Sequence, residues 1–113
     1  MRHLNPDELE SSLLTCLAKL QEAHNEYERT LEMKVDYQNR FYKAKAIAYL
    51  NAEGTQMARE AKRDLETSEV GDLFRIAESR AKAMGERIDT LRQELSVYQS
   101  LLNVMRSEMG LAR

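Results

Sequence analysis

Apolar positions in the second half of the chain recur with a regular step. Ala77, Ala81, Met84, Ile88, Leu91, Leu95, Tyr98, Leu102, Met105 and Met109 follow one another at alternating intervals of four and three. An alternation held over so many turns is the heptad seam of a helix packed lengthwise on another helix. It extends back through Phe74 and Val70 toward Thr67 and Ser68, either of which can cap the start, and it runs out near Gly110. The first half has a looser rhythm. Leu13, Leu17, Leu20, His24, Tyr27 and Leu31 keep the four-three step, but the seam then passes through Val35, Gln38, Tyr42, Ala46 and Tyr49 with two consecutive steps of four. From Leu20 on this approximates an eleven-residue repeat, which predicts a straighter or slightly right-handed helix. His24 and Gln38 are polar positions on that seam, of the kind that sets register or oligomeric state.

Start and stop signals turn these seams into elements. Asn5 can cap the free amides of a first turn, Pro6 suits the first helical position, and Asp7 and Glu8 face the positive end of the helix dipole. No stop appears before Gly54, a residue able to take the left-handed conformation that ends a helix. The pattern therefore predicts a helix over 6–52, a short helix over 55–66 capped by Thr55, and a helix over 68–110. Two long helices joined by a short one make an all-α fold: a long antiparallel, coiled-coil-like helical hairpin with a short extra helix at its turn, forming one domain over 1–113. Apolar residues off the expected seams, among them Leu9, Leu14, Met33, Phe41, Ile47, Leu65, Leu73, Ile76, Val97 and Leu101, exceed what two helices can cover. Homo-oligomers are expected on that ground, with Leu91, Leu95, Tyr98, Leu102 and Met105 as interface residues.

Composition supports the helical reading and removes several function classes. With one Pro and four Gly in 113 residues there is too little turn chemistry for many short strands. Cys16 is the only cysteine, so no internal disulfide or paired thiolate metal site can form; between Leu13 and Leu17 it reads as a small packing residue. The longest apolar run, Ala46 to Leu50, is far short of the roughly 20 residues of a membrane span. No membrane partner and a cytoplasmic location are expected. The sequence holds no glycine-rich phosphate loop, no Ser/His/Asp constellation, no HExxH and no paired cysteines. The expectation is a protein with no catalytic residues, no bound metal and no cofactor.

The formal net charge of −2 conceals a gradient. Residues 1–37 carry four basic and eight acidic side chains, whereas Arg40, Lys43, Lys45, Arg59, Lys62 and Arg63 are opposed between Arg40 and Arg63 only by Glu53 and Glu60. Residues 37–63 hold four of the seven aromatics: Tyr37, Phe41, Tyr42 and Tyr49. Cations that track phosphates, interleaved with rings that stack on bases, are the means by which single-stranded nucleic acid is bound with little sequence preference. The six cations with Tyr37 and Phe41 are thus the candidate nucleic-acid site. The same residues also fit a plainer account, in which Tyr42 and Tyr49 fill the seam and the cations are a solvated helix face.

With the basic aromatic stretch, the glycine-centred turn and the returning heptad helix together, the chain resembles the small helical phage proteins related to the UvsY-type recombination mediator. The resemblance is carried by Tyr42-Lys43-Ala44-Lys45-Ala46, by Ala48-Tyr49-Leu50 with Gly54 and Thr55, and by the return through Ala77-Glu78 to Leu102, Met105-Arg106 and Glu108, over roughly residues 40–110. It implies a non-enzymatic, homo-oligomeric recombination accessory protein in the host cytoplasm that loads a RecA-like recombinase onto single-stranded DNA by displacing single-strand-binding protein. It places the DNA contacts at Lys43, Lys45, Arg59, Lys62 and Arg63. Residues 1–36 match no part of that pattern. The alternative is a coiled-coil interaction module, an adaptor, assembly chaperone or host-directed inhibitor, that presents a helix face to a protein and binds no nucleic acid.

Overall fold

The computed structural model describes residues 5–111. The fold is all-α: α1 spans Pro6–Asn51, α2 Gln56–Glu66 and α3 Ser68–Leu111. The start of α1 is capped as its sequence dictates, with the Glu8 amide donating to Asn5 Oδ1 at 2.8 Å. Past its end Gly54 adopts φ 104°, a conformation that L side chains rarely take. Thr55 caps α2, its hydroxyl accepting from the Ala58 amide at 3.2 Å. Thr67 does not cap α3. Its hydroxyl turns back and donates to the Arg63 carbonyl at 2.7 Å, which also accepts the Thr67 amide at 3.0 Å, so Thr67 closes the end of α2.

Packing divides the chain into two compact units, one formed by residues up to Glu26 with those from Gly85 onward, the other by Tyr27–Met84. In the first unit Leu9, Cys16 and Ala23 of α1 and Ile88, Leu91 and Leu102 of α3 are buried. In the second, a helical hairpin with α2 at its turn, the buried side chains are mostly small: Ala48, Ala52, Ala77 and Ala81, with Thr67. Phe41 and Phe74 meet there with ring centroids 5.9 Å apart. A Cβ added to Gly71 would lie 3.0 Å from Phe41 Cε1 and 3.2 Å from its Cζ, so this buried glycine gives the ring its space.

On α3 the residues turned inward are those of the expected heptad, extended back through Phe74 and Val70. The side chain of Met109, the last expected position, lies outside the described residues. On α1 the expectation fails. Its inward positions are Leu9, Leu13, Cys16, Leu20, Ala23, Tyr27, Thr30, Lys34, Tyr37, Phe41, Ala44 and Ala48, each buried or partly buried and separated by strict steps of four and three. The eleven-residue repeat is thereby overturned, and Leu17, Leu31, Val35, Tyr42 and Ala46 are exposed. The physical reason is register. A stripe can keep facing a partner of seven-residue period only if it has that period itself, even where Ala, Thr and Lys then replace larger apolar side chains.

The five expected interface residues lie on the inward face of α3. Leu91 and Leu102 are buried within the single chain, and Leu95, Tyr98 and Met105 lie partly buried on the same face. These five residues lie on the internal seam of the first unit. The large apolar side chains that remain exposed lie elsewhere, on all three helices.

Candidate nucleic-acid interface and the Cys16 groove

The candidate DNA-binding residues all fall in the second unit, on α1 and α2. α1 carries Tyr37, Arg40, Phe41, Lys43 and Lys45. Tyr37 and Phe41 are inward positions of the seam. Phe41 packs against Phe74 and Gly71 and stacks at 6.0 Å on Tyr42, which closes its faces to a base. Tyr37 and Phe41, expected to stack on bases, are both partly buried on the seam. The exposed ring is Tyr42, 54% accessible. The apolar pattern puts it on the seam because several of the largest apolar side chains of α1 lie one residue after the inward positions.

Most of the cations are already engaged. Lys45 sits over the rings of Phe41 and Tyr42, at 4.9 and 5.8 Å from their centroids. Arg40 lies over Tyr37 at 5.6 Å and pairs with Asp36 at 3.0 Å. On α2, Lys62 approaches Glu66 at 3.9 Å, and Arg63 Nε donates to Asp64 Oδ1 at 3.0 Å. Arg59 is held most firmly. Its guanidinium stacks on the Tyr49 ring at 4.4 Å, and one terminal nitrogen donates to the Tyr49 carbonyl at 3.0 Å. The last turn of α1 contains no basic residue, so Arg59 supplies from α2 the positive charge that the carbonyl end of α1 favours. Arg59 Nε is buried without a partner among the described residues.

Among the described residues Lys43 makes no ion pair and is exposed. It follows the inward position Tyr37 by six residues and precedes Ala44 by one, which places it with Arg40 on one flank of the α1 seam; Tyr42 and Lys45, each one residue after an inward position, lie on the other. On α2, Arg59 and Arg63 turn inward, away from Lys62. The six cations thus do not converge on one surface. Their exposed ion pairs are individually worth only about 0–1 kcal/mol and would exchange readily with phosphates, whereas the Arg59 contacts would not.

The first unit holds a different feature. An open groove of about 270 Å³ is lined by Ser11, Ser12, Thr15, Cys16, Lys19, Glu94 and Tyr98. Cys16 is buried at its base, its Sγ 3.4 Å from the Leu91 carbonyl, to which the thiol donates. Burial pushes the thiol pKa up, the Glu94 carboxylate adds to the rise, and Lys19 opposes it. The thiolate is the reactive form, so Cys16 is expected to be alkylated at neutral pH much more slowly in the folded chain than in denaturant. Because the folded chain holds the proton more tightly, this contribution to stability is complete below the ordinary thiol pKa and is lost as pH rises through the raised value. Iodoacetamide labelling with and without urea, followed by mass, checks the first point; equal rates would refute it.

Among the described residues no group of three or more His, Cys, Asp or Glu side chains could hold a metal ion, and no helix is long and apolar enough to cross a membrane. Compared with protein-family models, with curated proteins and with solved structures, the chain matches none.

Proposed function

We propose that the chain is a non-enzymatic helical interaction module that works by docking its exposed helix faces on protein surfaces, other copies of itself included. The observation that carries this reading is a second set of apolar positions on each long helix, in short heptad-spaced runs separate from the internal seam and interrupted by polar residues. On α1 it lies one residue after the inward positions, at Leu14, Leu17, Leu31, Val35 and Tyr42. On α3 it lies one residue before them, at Leu73, Ile76, Val97, Leu101 and Val104. Scattered surface leucines need no explanation, but apolar residues that keep the heptad step on a solvent face are the mark of a surface meant to be covered. The test is a pair of outward substitutions, Val97→Asp with Leu101→Asp. Association measured by light scattering is expected to weaken by at least about tenfold, because a charge would be desolvated at the contact, while helix content and melting temperature stay close to those of the parent chain. An unchanged mass and unchanged partner capture would refute the role of that stripe.

A second reading is favoured by Lys43 and Arg40, exposed together on one flank of α1. On this reading the chain is a single-stranded DNA-binding recombination accessory protein, with these two cations on phosphates and exposed Tyr42 and Lys62 as further contacts. A fluorescent poly-dT titration at two salt concentrations decides it. Binding that weakens with salt, and is lost in Arg40→Glu with Lys43→Glu, supports this reading; no binding at low salt removes it.

A further inference from the structure

The short helix α2 is packed with its polar face inward. Arg59 and Arg63 are its partly buried positions along with Glu60, and none of its residues is fully buried. Met57, Ala61 and Leu65, spaced four apart and therefore stacked on one face, point away from the hairpin. Met57 is 80% and Leu65 77% accessible, the two largest exposures among the exposed large apolar side chains. At about 100° per residue, Arg59 and Arg63 are on the side of the helix opposite Ala61. The inward face is fixed by the stacking of Arg59 on Tyr49 and by its bond to the Tyr49 carbonyl. The apolar face is the one left over.

We infer that this face of α2 docks the same face of a second copy, the two α2 helices lying parallel about a two-fold axis. The proposal rests on the interaction reading above and names one partner and one contact for it. Charge on the rims of the stripe selects the occupant and its direction. Viewed along α2, Lys62 borders the apolar stripe on one side, and Glu60 and Asp64 border it on the other. A two-fold axis parallel to the helix places the Lys62 rim of each copy against the Glu60 and Asp64 rim of its partner, twice over. An antiparallel pair, with its axis across the helices, would set each rim against its own kind. The existing contacts of these groups, Lys62 with Glu66, Asp64 with Arg63, and Glu60 accepting from Gln56 Nε2 at 3.2 Å, are exposed and can be shared with or exchanged for a facing charge. Three side chains per copy make a small contact, so the pairing is weak and dependent on concentration.

The two-fold arrangement makes a test that no other partner would pass. In a chain with Lys62→Glu, both rim contacts of the homodimer become repulsive. In a chain with Glu60→Lys and Asp64→Lys, both are repulsive again. Mixed one to one, the two chains form a pair in which both contacts are attractive. Sedimentation equilibrium is expected to show each variant alone associating about tenfold more weakly than the parent, with the mixture restored to parental strength. Helix content by circular dichroism is expected to match throughout. Leu65→Asp is expected to remove the association by placing a charge in the apolar stripe. A mixture no stronger than its components, or a Leu65→Asp chain that pairs like the parent, overturns the α2 contact. If Leu65→Asp pairs like the parent while Val97→Asp with Leu101→Asp does not, the interaction reading stands and only the α2 contact falls. If the parent chain stays monomeric at all concentrations, the second-copy occupant is excluded.

Discussion

Replacing Ile88 by Ala is expected to lower stability by about 2–4 kcal/mol, while the same change at Ile76 costs no more than roughly 0.5 kcal/mol. Both are isoleucines of α3. Ile88 is 3% accessible and sits on the internal seam, where removing three carbons loses the transfer free energy and leaves a cavity that close-packed neighbours fill only in part. Ile76 is 49% accessible, so about half of its surface is already in water. Alanine's better helix propensity, worth a few tenths of a kcal/mol, offsets part of the remainder. Thermal unfolding followed by circular dichroism at one fixed chain concentration checks the pair, since a kcal/mol corresponds to about 4–8 °C in a domain near this size. Equal shifts for the two variants would mean that the assigned seam of α3 is wrong.

The second large effect concerns a glycine. Gly71→Val is expected to destabilise by about 1–3 kcal/mol, whereas Gly110→Val changes stability little. Helix propensity alone favours replacing a glycine, by up to ~1 kcal/mol in a helix interior and by less at Gly71, in the first turn of α3. At Gly71 that gain is outweighed. The Cβ alone would come within 3.0 Å of the Phe41 ring, and the two further methyls of valine would press on a ring already backed by Phe74 and Tyr42. At Gly110 an added Cβ meets nothing within 4 Å. Gly71→Ala lies between the two: the ring edge must shift by a few tenths of an ångström, and helix propensity pulls the other way, so its melting temperature should fall between those of the parent and Gly71→Val. If Gly71→Val melts at or above the parent, the close approach to Phe41 is not a constraint.

The outcome on α1 shows how far a sequence can be read. The element boundaries were legible to within about a residue, because capping is local: Asn5, Gly54 and Thr55 act on amides and carbonyls within a few positions of themselves. The seam of α3 was legible because its largest apolar residues fall on the inward positions. The seam of α1 was not. Leu17, Leu31 and Val35 are more hydrophobic than Ala23, Thr30 and Lys34, so a ranking by hydropathy selects the outward stripe. The same offset of one residue puts Tyr42 on the expected seam, where the structure has Phe41.

The candidate site was legible only as a list of residue types. Nothing in the spacing of Arg59 shows that its guanidinium lies on Tyr49 and serves the end of α1, because that contact depends on how α2 folds back over the last turn. Nor does the 57, 61, 65 spacing of α2 say which way its apolar stripe points; amphipathic helices usually turn that side inward, and here Arg59 holds it out.

By itself, the sequence determined the secondary structure, the all-α class and the heptad period of α3, since helix propensity, capping and periodicity are properties of neighbouring residues. Tertiary structure decided which stripe of α1 is inside, which cations make ion pairs and which apolar faces stay exposed. Those choices belong to the pairing of two helices: a partner with a seven-residue step accepts only a matching stripe, and whichever residues that stripe contains become the core.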